Sequence, residues 1–524
     1  MYCPRFASSL SGLGRTIVRL FLCTALYSIL IFHFPMISQI HQGFDEQIVI
    51  HSGEAKYNGK DIHLIGQVTI QHGLGKISAQ LLSISPSQSD LKKHFSFFHI
   101  RDNVLIEFQG GGEIVCQEAE IDYSQLKGHF KGNIIYPDVV YKNHGVKDHE
   151  RDSLIIKSLE MEVALARIPI SENQVLKTVV KSLEAKHHVR AHYLDDYILL
   201  ADRAFFECSQ TNRSEGILTL FAKEQQPYCL LTNRSGDHIQ AEKIKMVTIQ
   251  KKLFLNKPKG SLHHQGKNSL KQKIDFSADE LVWDQSSQRL ILKGNVKVYQ
   301  DQVFQLDTKQ ELIIEQQILN GQKTLRSMIS PRQTTLIYDY DSQKELSYKI
   351  ISPGKLVIDH ENFVTTIEGL KDKEGNLVIG EQVYFENSFG DIYADQVYIS
   401  YEWKNQRLIP SKIILTGNIK LMNRYDGLSQ GTSSILQYAM ADQVEYFPDS
   451  HEMTLFGKNG HRVLFFDKVN NVQISAPALR IRNNKKNHKN SFQGIGDVRF
   501  TFIEKELSQF KQRFSLDDHT KQEE

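Results

Sequence analysis

Between Phe276 and Tyr299 the chain reads FSADELVWDQSSQRLILKGNVKVY. Leu281 and Trp283 lead into a polar turn, Asp284 to Gln288. Leu290, Leu292, Gly294, Val296 and Val298 then alternate with Ile291, Lys293, Asn295, Lys297 and Tyr299. Side chains of a strand point to opposite faces with a period of two, so this pattern predicts two strands joined by a turn, one face apolar and the other mostly polar.

The same pattern recurs. A second copy begins at Ala394-Asp395, with Val397, Ile399 and Tyr401, and continues through Ile413, Leu415, Gly417, Ile419 and Leu421. A third begins at Ala441-Asp442, with Val444, Tyr446, Met453, Leu455 and Gly457. Fainter copies run through Ile62 to Ile70 and Ala119 to Tyr136, and Phe492 to Phe502 reads as one more strand of this kind. Self-similarity at irregular spacing predicts a repeated supersecondary unit with loop insertions. Gly66, Gly132, Gly294 and Gly417 each fall where alternation asks for an inward apolar side chain. Glycine inside a strand marks a bend, a bulge or a close approach, so each is expected to let its strand curve. The aspartates of the Ala-Asp pairs recur along the array instead of converging. They are therefore expected to serve strand starts or turns and not acid–base chemistry, which needs carboxylates at one site.

Five regions follow. Residues 1–40 carry Arg5, Arg15 and Arg19 ahead of an apolar run from Leu20 to Ile37, the pattern of a signal-anchor or signal peptide oriented with its N-terminus in the cytoplasm. Residues 48–250 read as β-rich, with residues 141–153 as a charged loop. Val175, Leu176, Val179, Val180 and Leu183 recur at helical steps, and Ser171 and Gln174 form a capping-box pattern, so a helix is expected over 172–187. Residues 251–273 hold seven lysines with Pro258, Gly260 and Gly266, the composition of a solvated basic linker or loop. The strong repeats fill 274–502, and 503–524 is expected to be a short helix and a tail.

Composition adds three constraints. The 524 residues carry 63 Lys+Arg against 61 Asp+Glu, a net charge of +2, which gives no chain-wide footprint for nucleic acid. Of the five cysteines, Cys208 and Cys229 invite a disulfide in an oxidising compartment, but buried free thiols are favoured. No convergent acidic, nucleophilic or metal-ligating motif is present, so neither an enzyme nor a cofactor or metal is expected.

The unit Ala-Asp-x-(Leu/Val)-x-aromatic, a polar turn, then apolar-x-apolar-x-Gly-Asn-(Val/Ile) resembles the OstA-like domain of lipopolysaccharide export proteins, the LptA–LptC family. Gly294-Asn295-Val296 and Gly417-Asn418-Ile419 carry the resemblance best, and Gly132-Asn133-Ile134 echoes it. It covers about 274–484 well and 48–250 weakly. It implies an all-β fold, an elongated stack of antiparallel β-jellyroll units whose two sheets splay along one edge, with an N-terminal membrane segment and minor helices here. An N-terminal anchor is similar to the LptC type and stacked repeats to the LptA type. The LptD type, with its large outer-membrane barrel, is not the expected match, since residues 503–524 are read as a short helix and a tail.

The function implied is periplasmic lipopolysaccharide binding and transport, as part of a lipid bridge between inner and outer membrane. The implied partners are lipopolysaccharide or another acylated lipid, other lipopolysaccharide export proteins, and the inner membrane through the N-terminal segment. The alternative is a structural or adhesive envelope protein without lipid transport. The apolar trough would be lined by Leu281, Trp283, Leu290, Leu292, Val296, Val298, Val397, Tyr401, Ile413, Leu415, Ile419, Leu421, Val444, Tyr446 and Leu455. A closed sandwich core uses the same alternation, so both forms stay open here.

Overall fold

The computed structural model describes residues 49–501, apart from 87–94, 144–153, 170–175, 195, 210–214, 224–226, 266–270, 302, 320, 342–345, 388–389, 405–406, 426–433, 469–471 and 485–488. The expected N-terminal membrane segment, C-terminal helix and tail therefore lie outside the described residues. Among the described residues no helix is long and apolar enough to cross a membrane. Among the described residues the region from Val49 to Thr501 is one antiparallel β network of 40 strands.

Its topology follows a simple rule. The chain makes a hairpin in one layer, crosses to a second layer, makes a hairpin there, and crosses back. In the first layer Lys252–Asn256 pairs with Glu280–Asp284, then come Arg289–Lys293, Glu311–Leu319 and Gln322–Ser330, each paired to the last. In the second layer Lys259–Gln265 pairs with Lys271–Ser277, followed by Val296–Gln300, Phe304–Thr308 and Thr334–Asp341. Longer strands such as Ile62–His72 and Arg407–Tyr425 belong to both layers, one half in each. All crossings lie along one edge, here called the spine. The hairpin turns lie along the other edge, here called the mouth.

The repeat motif is the spine. Alternation from Leu290 to Tyr299 reads as one strand, yet the chain forms two, Arg289–Lys293 and Val296–Gln300, in different layers. Gly294 and Asn295 between them both take left-handed backbone angles, φ +69° and +44°. Gly417 and Asn418 do the same at +77° and +41°, as do Gly66 and Gln67 at +77° and +44°. Two residues in that conformation turn the chain sharply while leaving the period-two parity intact. That is why the alternation reads straight through a corner.

The Ala-Asp pairs make the opposite crossing, from the second layer to the first. Ala201, Ala278, Ala394 and Ala441 of these pairs are all buried at the crossings, and Ala241, followed by Glu242, is buried at an equivalent one. Asp279 then locks the neighbouring corner. Its backbone N–H donates to the carbonyls of Lys293 (3.1 Å) and Gly294 (2.9 Å), and its Oδ2 accepts from Asn295 Nδ2 at 2.9 Å. Asp395 repeats these bonds with Thr416, Gly417 and Asn418, the last again at 2.9 Å. The expected turn role of these aspartates is therefore what they perform. A Cβ on Gly294 or Gly417 would lie 2.4 or 2.3 Å from the locking carboxylate. Gly132 departs from the pattern: its crowding comes from the Pro137 carbonyl, and it opens a longer crossing over 132–138.

Two expectations are corrected. The described part of the helix expected over 172–187 is strand, within Leu176–Tyr193. In its pairing with Glu160–Pro169 the register slips at Lys181, because Ala164 faces Ser182 while Leu165 faces Val180. This bulge inserts one residue into a period-two pattern, so inward Val180 and Leu183 fall three apart, and with Val179, buried outside the main cluster, they give the spacing of a helix. Among the described residues the one helical turn is Thr248–Gln250, a single 3-10 turn. The basic linker expected at 251–273 is also mostly strand: Lys252–Asn256, Lys259–Gln265 and the start of Lys271–Ser277. Leu253, Leu255 and Leu262 occupy its inward positions, while Lys259 and Lys273 stand on the solvent side.

Between the layers runs one hydrophobic cluster, from Leu64 to Ile481. Its largest fully buried members include Trp283, Tyr141 and Tyr446. Cys208 and Cys229 are not paired: Cys116, Cys208 and Cys229 are free thiols, and burial pushes those of Cys116 and Cys229 up to about 12.

Candidate functional site

All fifteen positions expected to line a trough face the space between the layers. Fourteen are buried, and Tyr401 is half-buried against the same cluster. Along most of the array the facing side chains meet and fill that space. Leu292 and Leu415, at 0% and 1% exposure, are core residues in this conformation.

The layers part at the mouth. A cavity of about 790 Å³ opens there, walled by Phe304, Leu325, Tyr338, Ile358, Tyr401 and Trp403 among others. Its volume falls within the usual range of small-molecule sites, ~300–1,000 Å³. A second cavity of about 450 Å³ lies beside it, reaching Tyr197 and Trp283. The two share His264, Gln265 and Gln322 in their walls. Trp283 and Tyr401, two of the expected trough residues, thus face one cavity each, while the other thirteen reach neither.

A buried ion pair lies at the wall of the second cavity. Lys323, on the first-layer strand Gln322–Ser330, meets Asp237, in the second-layer turn before His238–Ala241. The aspartate side chain is fully buried and the lysine nearly so. Asp237 also accepts from Asn233 Nδ2 (2.8 Å) and the His263 backbone N–H (2.7 Å), and Lys323 lies over the Trp283 ring at 4.9 Å. This pair joins the two layers across the mouth.

The larger cavity has an apolar body and a polar end. Phe304, Ile358 and Leu325 supply hydrocarbon. At the polar end Gln272 Oε1 lies 3.0 Å from His264 Nε2 and accepts from Gln300 Nε2 at 3.4 Å. The His264 and His360 rings sit 6.4 Å apart, edge to face. Burial pushes both imidazoles down, His264 to about 4 and His360 to about 3, so both are neutral at pH 7. At the floor the hydroxyls of Tyr338, Thr365 and Tyr401 bond to one another. Burial raises the tyrosine pKa values, Tyr338 to about 12, so both stay protonated donors.

Sequence reading missed most of this. His264 lay in the stretch taken for a linker, and His360 and Gln300 sit beside turns with no motif around them. The single usable signal was His264 at an inward position of an alternating run, Leu262 then His264.

Among the described residues one His–Glu–Glu group, His129, Glu160 and Glu162, brings its ligand atoms within 4.8 Å of one another. Glu162 there already pairs with Lys186 at 2.6 Å. No protein-family model matches the chain, and no curated protein matches it either.

Proposed function

We propose that this chain is a non-enzymatic lipid-binding protein of the OstA-like jellyroll type, held at the inner membrane by residues 1–40. In the periplasm it forms part of a bridge that carries lipopolysaccharide, or another acylated lipid, towards the outer membrane together with other lipopolysaccharide export proteins. The observation that carries this reading is the mouth: an apolar interlayer cavity of about 790 Å³, with a second beside it, along one edge of a continuous two-layer array. An acyl chain gains about 0.8 kcal/mol for each methylene it removes from water, so an apolar trough offers lipid a path that the aqueous phase does not.

The test uses the cavity wall and not the core. A charge at Leu292 or Leu415 would strike a fully packed interior and unfold the repeat. Val303 and Leu408 are half-buried and line the cavity from opposite layers. The purified chain should shield a fluorescent acyl probe, and Val303→Asp with Leu408→Asp should cut that binding at least tenfold with the far-ultraviolet circular dichroism unchanged. An acyl probe that never binds would refute the reading. Depletion separates it from a rod-like envelope protein, because only a conduit strands lipopolysaccharide at the inner membrane.

A further inference from the structure

The wall of the larger cavity contains unsatisfied chemistry. His360 Nε2, Gln300 Oε1 and Trp403 Nε1 are all buried, all belong to residues lining this cavity, and none has a hydrogen-bond partner. Gln300 is only 8% exposed. Buried polar groups are nearly always bonded, so three orphans around one space mark a place where something else bonds.

The three atoms define what that is. An indole N–H only donates, an amide oxygen only accepts, and a neutral imidazole nitrogen does either according to its tautomer. The missing group must therefore both donate and accept.

It must also be uncharged. The charged side chains in the cavity wall are already engaged: Lys273 with Asp275 (2.9 Å), Asp301 with the Tyr299 hydroxyl (2.9 Å), and Glu361 with Arg326 (3.7 Å). Asp359 accepts from the turn amides of Glu361 and Asn362 at 2.9 and 3.0 Å. His264 and His360 are neutral, so no free countercharge awaits an anion, and no free carboxylate awaits a cation. Burying an unpaired ion costs far more than burying a neutral polar group that finds its bonds.

We infer that this cavity is a site for a single-chain amphiphile with an uncharged donor–acceptor head, of the alcohol or carboxamide class. Its chain lies along Phe304, Leu325 and Ile358, and its head bonds His360, Gln300 and Trp403. This rests on the lipid-binding reading above and, for this cavity, takes its second branch, an acylated lipid other than the multi-chain, phosphorylated lipopolysaccharide.

The test titrates the full chain with four amphiphiles of equal chain length below their micelle concentrations: monomyristoylglycerol, tetradecanamide, tetradecyl phosphate and tetradecyltrimethylammonium. Binding is read by calorimetry and by tryptophan emission, since Trp403 lines the site. The two neutral ligands should bind at least tenfold more tightly than the two charged ones. His360→Leu and Gln300→Leu should each weaken neutral binding about tenfold, while His360→Gln, which keeps a donor and an acceptor, should retain it. Equal binding of all four would overturn this inference and leave the acyl groove standing. Binding of none would overturn both. Unchanged neutral binding in the Leu variants would show that the orphan atoms are satisfied by water alone, and would also overturn it. The head-group comparison needs no variant, so it decides the matter even if a Leu variant fails to fold.

Discussion

Along the spine the chain crosses between layers many times, and its two clearest locks are built from residues close in sequence: a buried alanine, a locking aspartate, and a glycine and asparagine in left-handed conformation. Asp279 reaches Asn295 over 16 residues, and Asp395 reaches Asn418 over 23. Along the mouth the contacts between layers reach much further, since Lys323 and Asp237 are 86 residues apart and Tyr338 and Tyr401 are 63 apart. The spine distributes its stability over repeated small locks, so losing one weakens one repeat. At the mouth the layers are joined by the buried Lys323–Asp237 pair and by the hydroxyl cluster of Tyr338, Thr365 and Tyr401, so this edge rests on long-range contacts between layers.

The strongest way to break the comparison is Lys323→Met. Removing the cation leaves the fully buried Asp237 carboxylate unpaired, a change that costs about 3–5 kcal/mol in comparable settings. Native-state hydrogen exchange should show His238–Ala241 and Gln322–Ser330 opening while amides beside Gly294 and Gly417 keep their protection. The double variant Lys323→Met, Asp237→Asn should recover much of the loss. Equal loss at mouth and spine would mean that the two edges unfold together.

Acid acts on the mouth through its histidines. The folded pKa of His264, about 4, lies below the ordinary value of 6.5, so the unfolded chain takes up the proton first as pH falls. The stabilisation is complete above about pH 6.5 and is lost progressively down to about pH 4, amounting to roughly 3 kcal/mol for this one group. His360, lowered to about 3, extends the window further into acid. His264→Gln should flatten the pH dependence of the denaturation midpoint between pH 6.5 and 4. An unchanged slope would show that the imidazole is not desolvated.

The smallest effect sharpens the spine. Gly417→Ala combines a left-handed φ with a Cβ 2.3 Å from the Asp395 carboxylate, and should cost about 2–3 kcal/mol. Gly375 has φ +88° but nothing within 4 Å of its Cβ, so Gly375→Ala should cost only about 1 kcal/mol. Similar losses at both positions, measured by chemical denaturation, would mean that the lock adds nothing beyond backbone angle.

Much of the spine was readable in the amino-acid sequence, because its devices are local. Period-two alternation sets which side chains face inward, and the Gly-Asn and Ala-Asp pairs announce where the chain turns. Alternation is blind to corners that keep parity, so it could not show that Leu290 to Tyr299 is two strands in two layers. It is also misled by bulges: one extra residue at Lys181 gave a strand the spacing of a helix. Composition misled as well, because strands with inward leucines also carry outward lysines such as Lys259 and Lys273.

The sequence by itself determined an antiparallel β array, its inward face and the chemistry of its crossings, since each of these is decided within a few bonds of the residue concerned. Only the tertiary structure decided where the layers close and where they part. The Lys323–Asp237 pair and the cluster of His264, Gln272, Gln300, His360 and Trp403 join residues from strands far apart in the chain. Their meaning comes from a shared loss of solvent, which no single stretch of sequence carries.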